Sequence, residues 1–279
     1  MVCGIGQSSA TPTRATSSPQ PGVLGAGMAS RSVESSGKME EMSAPFGSIR
    51  GHSLYTPPLG ADSVIVDLGA NRGEFALQMS RRFGGRYHLV EGNPDLQDDL
   101  RAHTPFHVLP YAVAPVDGPI RFNVAKNDEG SSILALPETS AYDCTLDRSV
   151  EVVGKRLESI LAEIDEPRVD LLKVDIEGAE IEMLTTADPT RLRAIGQITV
   201  EFHGDSIFGF GLHREVERAI DRLKGLGFVA LNFSRPMRTD VLFVSRAAHG
   251  VSQATGLWWQ FCYDHASHIV RRVREHSFG

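Results

Sequence analysis

Asp67, Glu91, Asp175, Glu201 and His203 each stand within or just beyond the last residues of an apolar run with the look of a buried strand. Ligands of open α/β sheets bind beyond the carboxyl ends of the strands, so these side chains are expected to converge on one cleft. Carboxylates and an imidazole gathered there can accept hydrogen bonds from hydroxyls, take up a proton or hold a hard cation. The elements that must position them begin with Val64–Leu68, which runs into a turn carrying Gly69, Asn71 and Gly73. A helical pattern follows at once, with Phe75, Met79 and Phe83 at intervals of four.

Glycine permits backbone angles that other residues avoid and lets a ligand come close to the chain. The helix start adds N–H groups and a positive dipole end. The turn reads G-x-x-x-G, which is not the G-x-G-x-x-G of a dinucleotide site. A second strand, Tyr87 to Val90, ends in Glu91, 24 positions after Asp67. An acid at that tip accepts hydrogen bonds from ribose hydroxyls. Asn93 and Pro94 then start a helix as cap and first-turn residue. A nucleoside ligand without a pyrophosphate satisfies all of this, and S-adenosylmethionine fits. Asp67 either contacts that cofactor or braces the glycine turn.

The run Val169–Ile176 carries Lys173 and Asp175 on one side, by period two. Glu201 and His203 share a side of the strand Ile198–His203 in the same way. A buried lysine needs a partner, and Asp175 or Glu201 would serve. His203 is the candidate general base because imidazole titrates near neutral pH. Asp175 would orient the acceptor or the cofactor amine, with Glu201 completing the catalytic group. Asp175, Glu201 and His203 also have the donors for a divalent ion, but a carboxylate–lysine pair explains the acids more simply and no metal is expected.

The remaining pattern is α/β. Strands are expected at Phe106–Leu109, Ile120–Val124 and Val150–Val153, and helices at Pro94–Ala102 and over Leu157 to Ile164. The stretch from Ile120 to Val153 breaks the alternation and reads as a β insertion that could cover a substrate. Helix Ala179–Thr186 and a helix with Val216, Ile220 and Leu223 on one face come next. Strands Phe228–Phe233 and Val241–Val244, joined through Pro236, form an antiparallel hairpin. The expected fold class is therefore α/β: a Rossmann-like, mostly parallel sheet with a C-terminal antiparallel hairpin and a β insertion. Residues 1–45, rich in Ser, Gly, Thr and Pro, form a disordered leader. Met28, Met39 and Met42 leave the natural start open. The core domain spans 46–248. The tail 249–279 reads as a helix that docks on its own domain, with Trp258, Cys262, Ala266, Ile269, Val270 and Val273 on one face.

The chain has 279 residues and a formal net charge of -7, which argues against a nucleic-acid coat. Three widely spaced cysteines suit a reducing, cytoplasmic setting. No apolar run is long enough for a transmembrane segment, and the first residues lack the pattern of a secretory signal. Self-association into a homo-oligomer stays open.

The motifs VDLGANRGEFA at 66–76, VEGNP at 90–94, PYAVAPVDGPIRF at 110–122, EGSSIL at 129–134, LLKVDIEGAEIEML at 171–184 and VEFH at 200–203 follow one another in the order of a known family. From about Leu54 to Arg246 the chain resembles the FkbM-type S-adenosylmethionine-dependent methyltransferases. Gly92 departs from the proline common in that family. The resemblance implies a class I methyltransferase sheet, S-adenosyl-L-methionine as cofactor, and O-methylation of a hydroxyl on a sugar or natural-product-like small molecule. Gly69, Asn71 and Gly73 would cradle the methionine part, Glu91 and Asn93 the ribose end, and Ser131 and Ser132 the cofactor or acceptor side. N-methylation and a non-catalytic cofactor-binding module are the alternatives.

Overall fold

The computed structural model describes residues 45–126, 130–135, 145–203, 211–234 and 238–277, with side chains up to residue 265. Residues 1–44 of the expected leader and the turn around Pro236 lie outside the described residues. A seven-stranded sheet forms the centre. Its core strands are β3 (Val64–Leu68), β4 (Arg86–Val90), β5 (His107–Leu109), β9 (Val169–Val174) and β10 (Ile195–Glu201). It is completed by β11 (Phe228–Asn232) and β12 (Asp240–Ser245), and the spatial order is β11-β12-β10-β9-β3-β4-β5. All neighbours are parallel except β12, which runs antiparallel to both β10 and β11. From β3 the chain first builds outward through β4 and β5, then returns to add β9 and β10 on the other side. That reversal opens a crevice at the carboxyl ends of β3 and β9.

Each core strand feeds both faces of the sheet. Val66 and Leu68 pack into one apolar cluster with Leu172 and Val174, while Ile65 joins another with Leu89 and Leu171. Helix α1 (Glu74–Phe83) buries Phe75, Ala76 and Met79 in the second cluster. Helices α3 (Leu157–Ile164), α4 (Glu180–Thr186) and α6 (His213–Gly225) cover the first. Helix α2 (Pro94–His103) opens on Asn93, whose side chain accepts from Asp95 N at 3.1 Å. The insertion is a separate three-stranded sheet of β6 (Ala112–Val113), β7 (Gly118–Ala125) and β8 (Leu146–Lys155). The expected strands at 120–124 and 150–153 are the centres of β7 and β8, which their mutual pairing extends.

Three features depart from the sequence reading. The first is an N-terminal hairpin, β1 (Phe46–Ile49) and β2 (His52–Tyr55). Its turn residues Arg50 and Gly51 both have positive φ, as a type I′ turn requires, but arginine is not a turn signal. The hairpin is seated by side chains of the main sheet: the Gln197 amide both accepts from Tyr55 N and donates to Tyr55 O, each at 2.9 Å. Asp240 accepts from Ser53 N and Oγ at 3.2 and 2.6 Å. The second is a short helix, α5 (Pro189–Arg193), capped by Asp188.

The third is the docking face of the tail helix α8 (Gln253–Ser277), which follows the short helix α7 (Arg246–His249). Trp259 packs against Phe46 and Tyr55, and Gln260 bonds the backbone of Asn232 through both N and O. Gly256 lets the helix approach β11, where a Cβ would fall 2.0 Å from Val229 Cγ1. Trp258 and Cys262, expected on the buried face, are exposed. The helix does pack on its own domain, but rotated, because the contact is set by Gly256 and Gln260 rather than by the apolar stripe. No helix of the described residues is long and apolar enough to cross a membrane.

Candidate active site

The crevice holds a cleft of about 500 Å³, within the usual size of small-ligand sites. The turn after β3 forms one wall. Gly69 has φ +75°, and a Cβ there would lie 1.8 Å from the Asp175 carbonyl oxygen, so only glycine fits. Gly69 N and Ala70 N both donate to Val90 O, tying the turn to the end of β4. Asn71, also at positive φ, donates its N–H to Glu91 Oε2 at 2.7 Å, and Asn93 N donates to Glu91 Oε1 at 2.7 Å. Glu91 thus holds two backbone turns at once and still lines the cleft. Burial raises its pKa against the lowering effect of those two N–H donors. Gly92 lines the same wall, pressed so close to Ala112 and Phe122 that a Cβ would meet them at 2.8 and 3.0 Å.

Lys173 is buried at the base. Its ammonium lies 3.1 Å from Asp67 Oδ1 and 3.2 Å from Asp175 Oδ2, and donates to Gly69 O at 2.7 Å. Burial works against its charge, but Asp175 and Asp67 more than compensate and hold its pKa high. Asp175 is partly exposed to the cleft; desolvation works against its charge, yet the Lys173 ammonium keeps its carboxyl well below the usual range. Asp67 is fully buried behind the glycine turn and does not line the cleft.

The opposite wall is acidic. Asp175, Glu177 and Glu201 line it, together with His52 from the hairpin. His203 stands behind: its N–H donates to Glu180 Oε1 at 2.6 Å, Nδ1 lies 3.2 Å from the same oxygen, and Nε2 lies 3.3 Å from Glu177 Oε2. Strand β10 stops at Glu201, so the alternation expected to put Glu201 and His203 on one side ends before the histidine. Burial opposes a charge on His203, but Glu180, Glu177 and Asp175 push its pKa up to about 10. Glu177 is pushed up to about 8, by burial and by the neighbouring acids Asp175, Glu180 and Glu201 despite His203. Burial and Asp175 likewise raise Glu201.

Of the residues expected at the site, Gly69, Asn71, Glu91, Ser131, Asp175 and Glu201 line the cleft. Ser131 Oγ accepts from Ala125 N at 3.1 Å. Gly73, Asn93, Ser132, Asp67 and His203 support the walls from behind. Ser132 Oγ donates to Glu177 O at 2.6 Å, which pins the insertion to the end of β9. His52 and Glu177 are cleft residues that sequence reasoning did not single out. Glu177 lies in the motif between Asp175 and Gly178, so its motif was available as a signal; His52 had none.

A nucleoside sulfonium suits these walls. The buried carboxylate of Glu91 faces a cavity floored by glycine, and Val113, Phe122 and Ile133 supply apolar cover for a base. Residues 67–230 match the methyltransferase FkbM domain. Methyltransferase 1 of Beauveria bassiana is 29% identical over 164 residues, 52% of this chain and 66% of that protein. Methyltransferase sdnD of Sordaria araneosa is 28% identical over 184 residues, 54% of this chain and 70% of that protein. The AMB antimetabolite synthetase AmbE of Pseudomonas aeruginosa is 25% identical over 195 residues, 54% of this chain and 9% of that much longer protein. The chain thus spans just under two thirds of the first relative and a small part of the last. With the domain match covering more than half of its length, the chain belongs to the FkbM family of methyltransferases, whose cofactor is S-adenosylmethionine.

Proposed function

We propose that the chain transfers a methyl group from S-adenosylmethionine to a hydroxyl of a small molecule, a sugar or a natural-product-like compound. The observation that carries this reading is the division of one cleft into a glycine-turn wall ending in Glu91 and an acidic wall of Asp175, Glu177 and Glu201. Bound against the first wall, the cofactor supplies an already activated methyl group. Gly69, Asn71 and Glu91 would hold it, with Gly73, Asn93, Ser131 and Ser132 shaping that wall. The work left to the chain is to hold the acceptor oxygen in line and to receive its proton.

An alcohol must lose that proton as the new bond forms, whereas a free amine needs less help. Three carboxylates on the acceptor side therefore favour oxygen over nitrogen as the acceptor atom. Glu177 is the member of the Glu177–His203 pair that reaches the cleft, so we assign it the contact with the acceptor. His203 acts through it as a positioning residue. Asp175, anchored by Lys173, and Glu201 orient the acceptor. The size of the cleft suits a small molecule, and the likeness to part of a synthetase named for an antimetabolite agrees with that class. The cysteine spacing and an exposed Cys262 favour a reducing, cytoplasmic setting.

The test is incubation of the full chain with methyl-labelled S-adenosylmethionine and a pool of saccharides and secondary metabolites, followed by mass spectrometry of labelled products. A methyl group on oxygen is expected. Label on nitrogen would replace this reading with N-methylation. Cofactor binding without transfer to any acceptor would favour a non-catalytic module.

A further inference from the structure

We propose that His52, Asp175 and Glu201 form a binding site for a divalent cation of the Mn²⁺ type at the acceptor end of the cleft. The three come from elements far apart in sequence: β2, the end of β9 and the end of β10. His52 lies outside the matched family domain and reaches the cleft because the strand that follows it is held to the main sheet, at Ser53 by Asp240 and at Tyr55 by Gln197. The ring is 2% exposed, stands edge-on to Phe75 at 5.5 Å between centroids, and lines the cleft.

Its Nε2 lies 3.7 Å from Asp175 Oδ2 and 4.0 Å from Glu201 Oε2. Both separations are too long for hydrogen bonds. The buried ring therefore faces the two carboxylates at the outer limit of an ion pair, without a short hydrogen bond to either. Ligand atoms on a small divalent ion sit about 2.0–2.2 Å from it. Two such atoms are therefore roughly 3 Å apart when adjacent and roughly 4 Å when opposite, and both separations here fall between those limits. One imidazole nitrogen with two carboxylate oxygens suits a metal that accepts both donor types, as Mn²⁺ does.

The surroundings supply the rest. Glu177 stands on the same wall as the two carboxylate ligands, so this end of the cleft is rich in oxygen donors. Lys173 holds Asp175 in orientation, the kind of outer contact that fixes a metal ligand. The neighbouring group of Asp175, Glu177 and His203 is less suited, because His203 does not line the cleft and its Nε2 already lies 3.3 Å from Glu177 Oε2. For catalysis the inference rests on the methyl-transfer reading above. There the ion would bind the acceptor oxygen and make its hydroxyl more acidic, with the proton passing to Glu177.

The experiment is titration of the metal-stripped full chain with Mn²⁺, followed by the electron paramagnetic resonance signal of the free ion. One Mn²⁺ per chain is expected, with affinity at least about tenfold weaker in His52→Ala and in Glu201→Gln, and unchanged in the surface control Asp98→Asn. Absence of binding, or equal binding by the wild-type chain and the Glu201→Gln variant, overturns the proposal. Circular dichroism checks that each variant is folded; if His52→Ala is not, Glu201→Gln carries the test. Calorimetric titration of S-adenosylmethionine into the same samples separates the two readings. Cofactor binding without Mn²⁺ binding sinks the metal site alone, and Mn²⁺ binding without cofactor binding sinks the methyl-transfer reading while the metal site stands.

Discussion

The two walls of the cleft are made of different material. At β3 and β4 the ligand-facing surface is largely backbone, shaped by Gly69 and by N–H groups that Glu91 gathers. At β9 and β10 it is side-chain charge, with Asp175, Glu177, Glu201 and His52 crowded together. A backbone wall keeps its shape whatever is bound and suits a cofactor used in every turnover. A charged wall responds to protons and cations and suits the changing acceptor side. Lys173 joins the two, since one ammonium grips Asp67, Asp175 and the Gly69 carbonyl.

The largest expected effect comes from cutting that join. Lys173→Met leaves two carboxylates without their buried partner and should destabilise the fold by about 3–5 kcal/mol, read from the midpoint of chemical denaturation. A loss near zero would mean that the walls stand independently. Next, Glu177→Gln should lower turnover by about a hundredfold or more, while cofactor affinity holds. His203→Ala should also reduce turnover more than affinity, but less than Glu177→Gln does. Equal cofactor loss in either variant would erase the distinction between the walls.

The reverse pattern is expected at Glu91. Glu91→Gln weakens a hydrogen-bonding carboxylate and should reduce cofactor affinity by about tenfold or more, with little change in turnover at saturation. Calorimetry beside steady-state rates decides it. The smallest effect lies outside the cleft. Burial, followed by His107, lowers the pKa of His88. The unfolded chain therefore binds more protons below the ordinary histidine value of about 6.5. The contribution of His88 is complete above that pH and is lost as the pH falls towards its folded value. His88→Gln should flatten the acid side of the stability profile without changing either wall.

The same contrast explains what could be read in the chain beforehand. Gly69, Asn71 and Glu91 act through local geometry, and local geometry leaves motifs: a turn, an acid at a fixed distance, a helix cap. Lys173 was marked by its burial in an apolar run, and one expected partner, Asp175, is there. His52 was not legible because nothing in HSLY distinguishes a cleft histidine. Its position depends on Gln197 and Asp240, which lie more than a hundred residues away. His203 was misaligned for a different reason. Period-two reasoning holds only while the strand lasts, and β10 ends two residues too soon. The tail helix repeats the lesson, since Gly256 and Gln260 set its docking face while the apolar stripe that includes Trp258 does not.

The most direct test of the account is calorimetric titration of the full chain with S-adenosylmethionine, and separately with a pyridine dinucleotide. One saturable site per chain for S-adenosylmethionine, weakened by Glu91→Gln and indifferent to the dinucleotide, is the predicted result. Tight binding of the dinucleotide with no heat from S-adenosylmethionine would contradict it.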